Sequence, residues 1–93
     1  MSRGRRPAVE SGGAAAGGTP DAAVEELFLR LRELRKRLAD ARSLPAYVIF
    51  HDRTLREMAE RRPRTRDQLL EVSGVGPAKL ARYGAAFLEE LAR

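Results

Sequence analysis

The side chains best placed to do chemistry are three cations and one aromatic ring. Arg32, Arg35 and Lys36 stand close together in a stretch with helical patterning. At about 100° per residue they share one flank, turned away from the leucines of the same stretch. Their neighbours differ from them in one respect. Glu26 precedes Arg30 by four residues and Glu33 precedes Arg37 by four, the orientation in which such pairs attract best. Lys36 has Asp40 four residues on. Arg32 and Arg35 have no carboxylate three or four residues away on either side. An arginine with its charge still available suits a phosphate contact; an ordinary solvated arginine face is the other reading of the pattern. Tyr47 adds the ring. It follows Pro45 in the run Tyr47-Val48-Ile49-Phe50. Four successive apolar side chains on a short helix cannot all point inward. The expectation is that Val48 or Ile49 and Phe50 enter the core while Tyr47 stays at the surface. An exposed ring beside arginines can stack an unpaired base, a contact worth about 1–3 kcal/mol. A half-buried tyrosine with its hydroxyl in water is the alternative.

Weaker signals lie nearer the C-terminus. Gly74-Val75-Gly76 resembles the hairpin of helix-hairpin-helix motifs, where backbone N–H groups at a helix start approach a phosphate. Pro77 removes one of those donors, and two helices joined by a tight glycine turn is the favoured reading of the segment. Lys79 and Arg82 lie one turn apart on the following helix and can supplement either reading. Tyr83 is expected to pack along that helix and not to bind a base.

Catalysis finds no footing. His51 is the only histidine, and a general base needs an orienting partner and a pocket. Asp52, beside it, reads as a helix cap and His51 as a loop residue next to that cap. Glu57 with Glu60, and Glu89 with Glu90, sit among arginines and read as solvated faces, not metal ligands. No phosphate-binding loop of the P-loop type is present, and neither a metal nor a cofactor is expected. The chain has no cysteine, so no disulfide can staple it. No apolar run approaches the roughly 18 residues of a membrane span, and the basic N-terminus lacks the apolar stretch of a signal peptide. The net charge of +5 favours polyanionic partners through counterion release. The excess is shared, +2 in residues 1–20 and +3 in residues 21–93.

Helices must position these groups. Residues 1–20 read as a disordered linker, because Ser11 to Gly18 offers nothing larger than alanine to pack. Arg3, Arg5 and Arg6 at its head are solvated or touch phosphates. Such a linker suggests that the domain was once joined to a larger protein. Residues 21–93 read as one domain. Thr19 can cap a first helix, Pro20 suits its first position, and Asp21 complements the helix dipole. Val24, Leu27, Leu31, Leu34 and Leu38 then recur at helical spacing as far as about Arg42. A short helix is expected over Pro45–Ile49. The next is capped by Asp52, carries Leu55, Met58 and Ala59, and ends before Pro63. Thr65 and Gln68 have the spacing of a capping box for a fourth, holding Leu69 and Leu70. Pro77 opens a fifth, which buries Leu80, Gly84, Phe87, Leu88 and Leu91. The fold class is all-α, a compact bundle of five helices counting the short one.

These residues resemble a known family. The run Pro45-Ala46-Tyr47-Val48-Ile49-Phe50, then Asp52-x-Thr54-Leu55-x-x-Met58-Ala59, is similar to the pattern of HRDC (helicase and RNase D C-terminal) domains. So is the ending, Leu70-x-Val72-x-Gly74-Val75-Gly76-x-x-Lys79-x-x-x-Tyr83-Gly84-x-x-Phe87. The likeness covers about residues 24–92 and is greatest to the domains of bacterial RecQ-type DNA helicases. It implies a five-helix HRDC-like bundle serving a helicase as an accessory domain, and weak binding of single-stranded or partly single-stranded DNA. It also implies that Tyr47 matches a tyrosine which in some of these domains contacts single-stranded DNA. Arg32, Arg35, Lys36, Tyr47, Lys79 and Arg82 are the expected nucleic-acid-binding residues, on a cytoplasmic, nucleoid-associated monomer. A module that docks on its own helicase core or on another protein is the rival reading, and a structural spacer a third.

Overall fold

The computed structural model describes residues 20–93 and holds five helices: α1 (Pro20–Arg42), α2 (Ala46–Ile49), α3 (Asp52–Arg61), α4 (Arg66–Leu70) and α5 (Pro77–Leu91). No strand occurs among the described residues. The linker expected in the N-terminal segment, and the cap expected from Thr19, lie outside the described residues, whose first member, Pro20, opens α1.

The leucine stripe of α1 forms one wall of the core. Leu27, Leu31 and Leu34 are buried, and Val24 and Leu38 pack against the cluster from its edge. Phe28, absent from the predicted stripe, is buried as well. The chain leaves α1 through Ser43, whose φ of 56° is left-handed; the Leu44 N–H then donates to the Ala39 carbonyl at 2.9 Å. This closure satisfies an end carbonyl without a glycine. In α2, Ile49 is fully buried and Phe50 nearly so, while Tyr47 and Val48 face solvent, the division that the run of four apolar residues implied. Phe50 meets Phe87 edge-on at 5.1 Å and Tyr83 edge-on at 6.2 Å, so the end of α2 is seated against α5.

Thr54, Leu55, Met58 and Ala59 supply the inner face of α3. The expected cap for this helix moves by one residue. His51 occupies the N-cap position and makes no side-chain cap bond. Asp52 is the first helical residue, and its carboxylate is drawn to Arg35 instead. The Thr65 hydroxyl caps α4 as expected, accepting from the Gln68 N–H at 3.1 Å. The return bond of the box shifts: the Gln68 side-chain oxygen accepts from the Arg64 N–H at 2.8 Å, one residue before the cap. Pro77 opens α5, where Tyr83, Gly84, Phe87 and Leu91 are buried. Tyr83 is core, as its predicted packing along the helix required.

Candidate nucleic-acid interface

Tyr47 is the most exposed large apolar side chain in the described residues, at 61% of its full accessibility. Ile49 of the short helix and Phe50, the extended residue that follows it, take the inward positions, and Tyr47 is left outside. The His51 ring stands beside it, 6.1 Å between centroids with the planes 28° apart. Leu44 and Val48 are also partly exposed along this edge.

Arg35 corrects the sequence reading. It does not lie on the outer flank with Arg32 and Lys36. Its side chain is 9% exposed, and its guanidinium reaches across the core edge. Nη1 donates to the Phe50 carbonyl at 2.7 Å, and Nη2 meets Asp52 Oδ1 at 2.7 Å. The reason is positional: Arg35 follows Leu34 on the border of the leucine stripe, and its long stem crosses apolar surface before the charged head finds partners. Searching only for carboxylates one turn away on the same helix could not find a partner on α3. Arg35 is therefore not free to hold a phosphate.

The local field keeps a record of this arrangement. The hydrogen bond from Arg35 holds the Asp52 carboxyl below the usual carboxylate range; the charges of Arg35, Arg32 and His51 act in the same direction, and partial desolvation opposes them. Arg32, Arg35, His51 and Asp52 are thus electrostatic neighbours, and Tyr47 joins them through His51. Arg32 remains exposed, with its guanidinium 5.8 Å from the Phe28 ring. Lys36 is exposed and pairs with Asp40 at 3.4 Å. Such an exposed pair contributes little to stability.

Two more cations sit where α1 ends and α5 begins. The Lys79 ammonium is 5.7 Å from the Phe50 ring centre. The Arg42 guanidinium is 5.4 Å from that of Tyr83. Since Phe50 and Tyr83 touch each other, both cations border the same aromatic cluster. Sequence reasoning named Lys79 and missed Arg42, although Arg42 has no carboxylate three or four residues away, the same signal that selected Arg32. Arg82 is exposed, with no charged partner among the described residues, and no contact ties it to the Tyr47 group. The Glu26–Arg30 pair expected within α1 is replaced by a bond across the fold, Arg30 Nε to Glu90 Oε2 at 3.1 Å, which ties α1 to α5.

The glycine turn serves the fold. Gly74 has φ +90°, and a Cβ there would collide with the Thr54 hydroxyl oxygen, which donates to the Ser73 carbonyl at 3.0 Å. That explains the glycine by backbone shape and close approach. Gly76 has open space around the position of a Cβ. No helix among the described residues is long and apolar enough to cross a membrane.

Comparison with known proteins places this geometry. The family model described as HRDC domain matches residues 24–91. The chain is 45% identical over 65 residues to ATP-dependent DNA helicase RecQ of Pasteurella multocida, a match covering 70% of this chain and 10% of the helicase. It is 46% identical over 67 residues to ATP-dependent DNA helicase RecQ of Bacillus subtilis, covering 72% of this chain and 11% of that protein. The match thus spans about a tenth of either relative. Among solved structures, HRDC domain 3 of D. radiodurans RecQ superposes with a TM-score of 0.71 at 37% identity, over 73% of this chain and 90% of that one.

Proposed function

The chain belongs to the HRDC domain family, and on that footing we propose that it is a non-catalytic accessory module of an ATP-dependent DNA helicase which holds single-stranded or partly single-stranded DNA. Residues 21–93 act as the one domain. The observation that carries this reading is the exposed Tyr47 ring, set in a neighbourhood that also holds Arg32 and His51. Tyr47 stacks on an unpaired base. Arg32 and Lys36 take phosphates, and Lys79 and Arg82 extend the path along α5. Every base has a π-face and every nucleotide a phosphate, so the contact is tolerant of sequence. The module acts as a monomer in the cytoplasm, at the nucleoid, and tethers or orients a helicase core supplied by the rest of its parent protein.

With about three of these four cations engaged at once, binding lies in the micromolar range or weaker. Titrating a fluorescent oligothymidylate with the whole chain at several salt concentrations tests this. The expected slope of log affinity against log salt is about −2, because each contact on a single strand contributes about 0.7.

One observation favours a second reading. Leu44, Tyr47 and Val48 are all partly or largely exposed along one edge, and an apolar edge can dock on protein. Failure to bind DNA at low salt, together with capture of the isolated helicase core, would place that reading first.

A further inference from the structure

We propose that His51 is a second base-contacting ring, so that the platform takes two successive bases of a single strand, one on Tyr47 and one on His51. This rests on the reading of Tyr47 as a stacking residue and extends it.

Four observations carry the inference. The His51 ring is exposed, and its plane lies within 28° of that of Tyr47 at 6.1 Å between centroids, so two nearly parallel rings stand together at the surface. The imidazole nitrogens are free of hydrogen bonds among the described residues: His51 is the N-cap residue of α3, yet only its backbone carbonyl serves the helix, accepting from the Leu55 N–H at 3.1 Å. The backbone that carries it is braced on both sides by one buried group, since Arg35 holds the carbonyl of Phe50 and the carboxylate of Asp52. The ring is therefore presented on a fixed support, and a rigid platform loses little freedom on binding. Finally, the charged groups around it suit a nucleic acid. The adjacent carboxylate, Asp52, is engaged by Arg35, and Arg32 adds a further positive charge from α1. Arg35 is then a positioning residue: it reaches the strand only through the ring it braces.

His51 is the only histidine in the chain, so its ring protons give unambiguous magnetic-resonance signals. The test titrates the isotope-labelled chain with a short oligothymidylate and follows the ring protons of His51 and Tyr47. The inference expects both rings to shift upfield together and to saturate at the same concentration. If Tyr47 shifts and His51 stays, the second ring is excluded while the stacking role of Tyr47 stands. If the oligonucleotide binds and neither ring moves, both are excluded. Affinities of variants give a second readout. Replacing His51 with Ala should weaken binding about tenfold at an unchanged salt slope, within the range for loss of one stacked base. His51→Phe, which keeps a ring, should bind within about threefold of the parent on the same grounds. Equal weakening by both substitutions would mean that the ring face is not what the strand uses.

Discussion

Arg35 and Asp52 meet at 2.7 Å, joining the middle of α1 to the first residue of α3. The two ends of this bond differ in kind. Arg35 is almost wholly enclosed and Asp52 is 63% exposed. Removing Asp52 strands a buried guanidinium that keeps only the Phe50 carbonyl, whereas removing Arg35 lets the carboxylate rehydrate but leaves that carbonyl without its donor. Arg35→Ala also deletes a buried stem. We expect it to destabilise the fold by about 2–4 kcal/mol. Asp52→Asn should lose only about 1 kcal/mol, because the amide oxygen can still accept from Arg35 and the charge removed is an exposed one. Denaturant melts of both variants check the order, and a larger loss for Asp52→Asn would contradict it.

The same bond predicts an acid dependence. The folded state holds the Asp52 carboxyl below its ordinary range, chiefly through the Arg35 hydrogen bond. Its contribution is therefore complete above the pKa of the unfolded chain and is lost as pH falls through the lower folded value. The stability gap between the parent and Asp52→Asn should be open at neutral pH and should close in strong acid. Melting temperatures of the two proteins across that range are the measurement; a gap that widens on acidification would show that the sign is wrong.

Leu31 is fully buried on α1, and Leu34 lies nearer the edge at 9% exposure. Truncation of either to alanine should destabilise the fold by about 2–5 kcal/mol, with Leu31→Ala the more damaging. In a domain of this size either change removes a large part of the total stability. A Leu31→Ala variant that melts within a degree or two of the parent would show that α1 presents another face to the core.

Gly74 and Gly76 flank Val75 but should respond differently. Gly74→Ala meets both a left-handed backbone and the Thr54 hydroxyl, and should cost about 1–3 kcal/mol. Gly76→Ala meets nothing and has an ordinary extended backbone, so it should be close to neutral. Equal losses at the two positions would mean that the turn is constrained by something other than these contacts.

The architecture was legible because its signals are local. Proline at the start of α1 and of α5, the Thr65 cap and the leucine spacing of α1 each act within one or two turns, and the helices stand where those residues put them. Tyr47 was legible for a related reason: a run of four apolar residues on so short a helix cannot all turn inward, and Tyr47 with Val48 is left outside. The fate of Arg35 was not, because its partners are remote in sequence, on the far side of the α1–α3 contact. Pairing rules within a helix see one turn in each direction, and an arginine stem reaches farther than that. Arg30 misled in the same way, passing over Glu26 for Glu90. Arg42 and His51 gain their interest only from the rings beside them, which the fold brings together.

The proposal that Tyr47 and Arg32 hold one single strand by different forces can be read from the salt dependence of variant affinities. Arg32→Ala should weaken oligothymidylate binding and lower the slope of log affinity against log salt by about 0.7, the share of one phosphate contact. Tyr47→Ala should weaken binding by about 1–3 kcal/mol and leave the slope nearly unchanged, because stacking releases no counterions. Tyr47→Phe should retain most of the affinity. Melting temperatures of all three must match the parent, which the exposure of both side chains leads us to expect. Folded alanine variants that bind the strand as tightly as the parent, with the parent's slope, would contradict the claim and move the DNA-binding surface off this face.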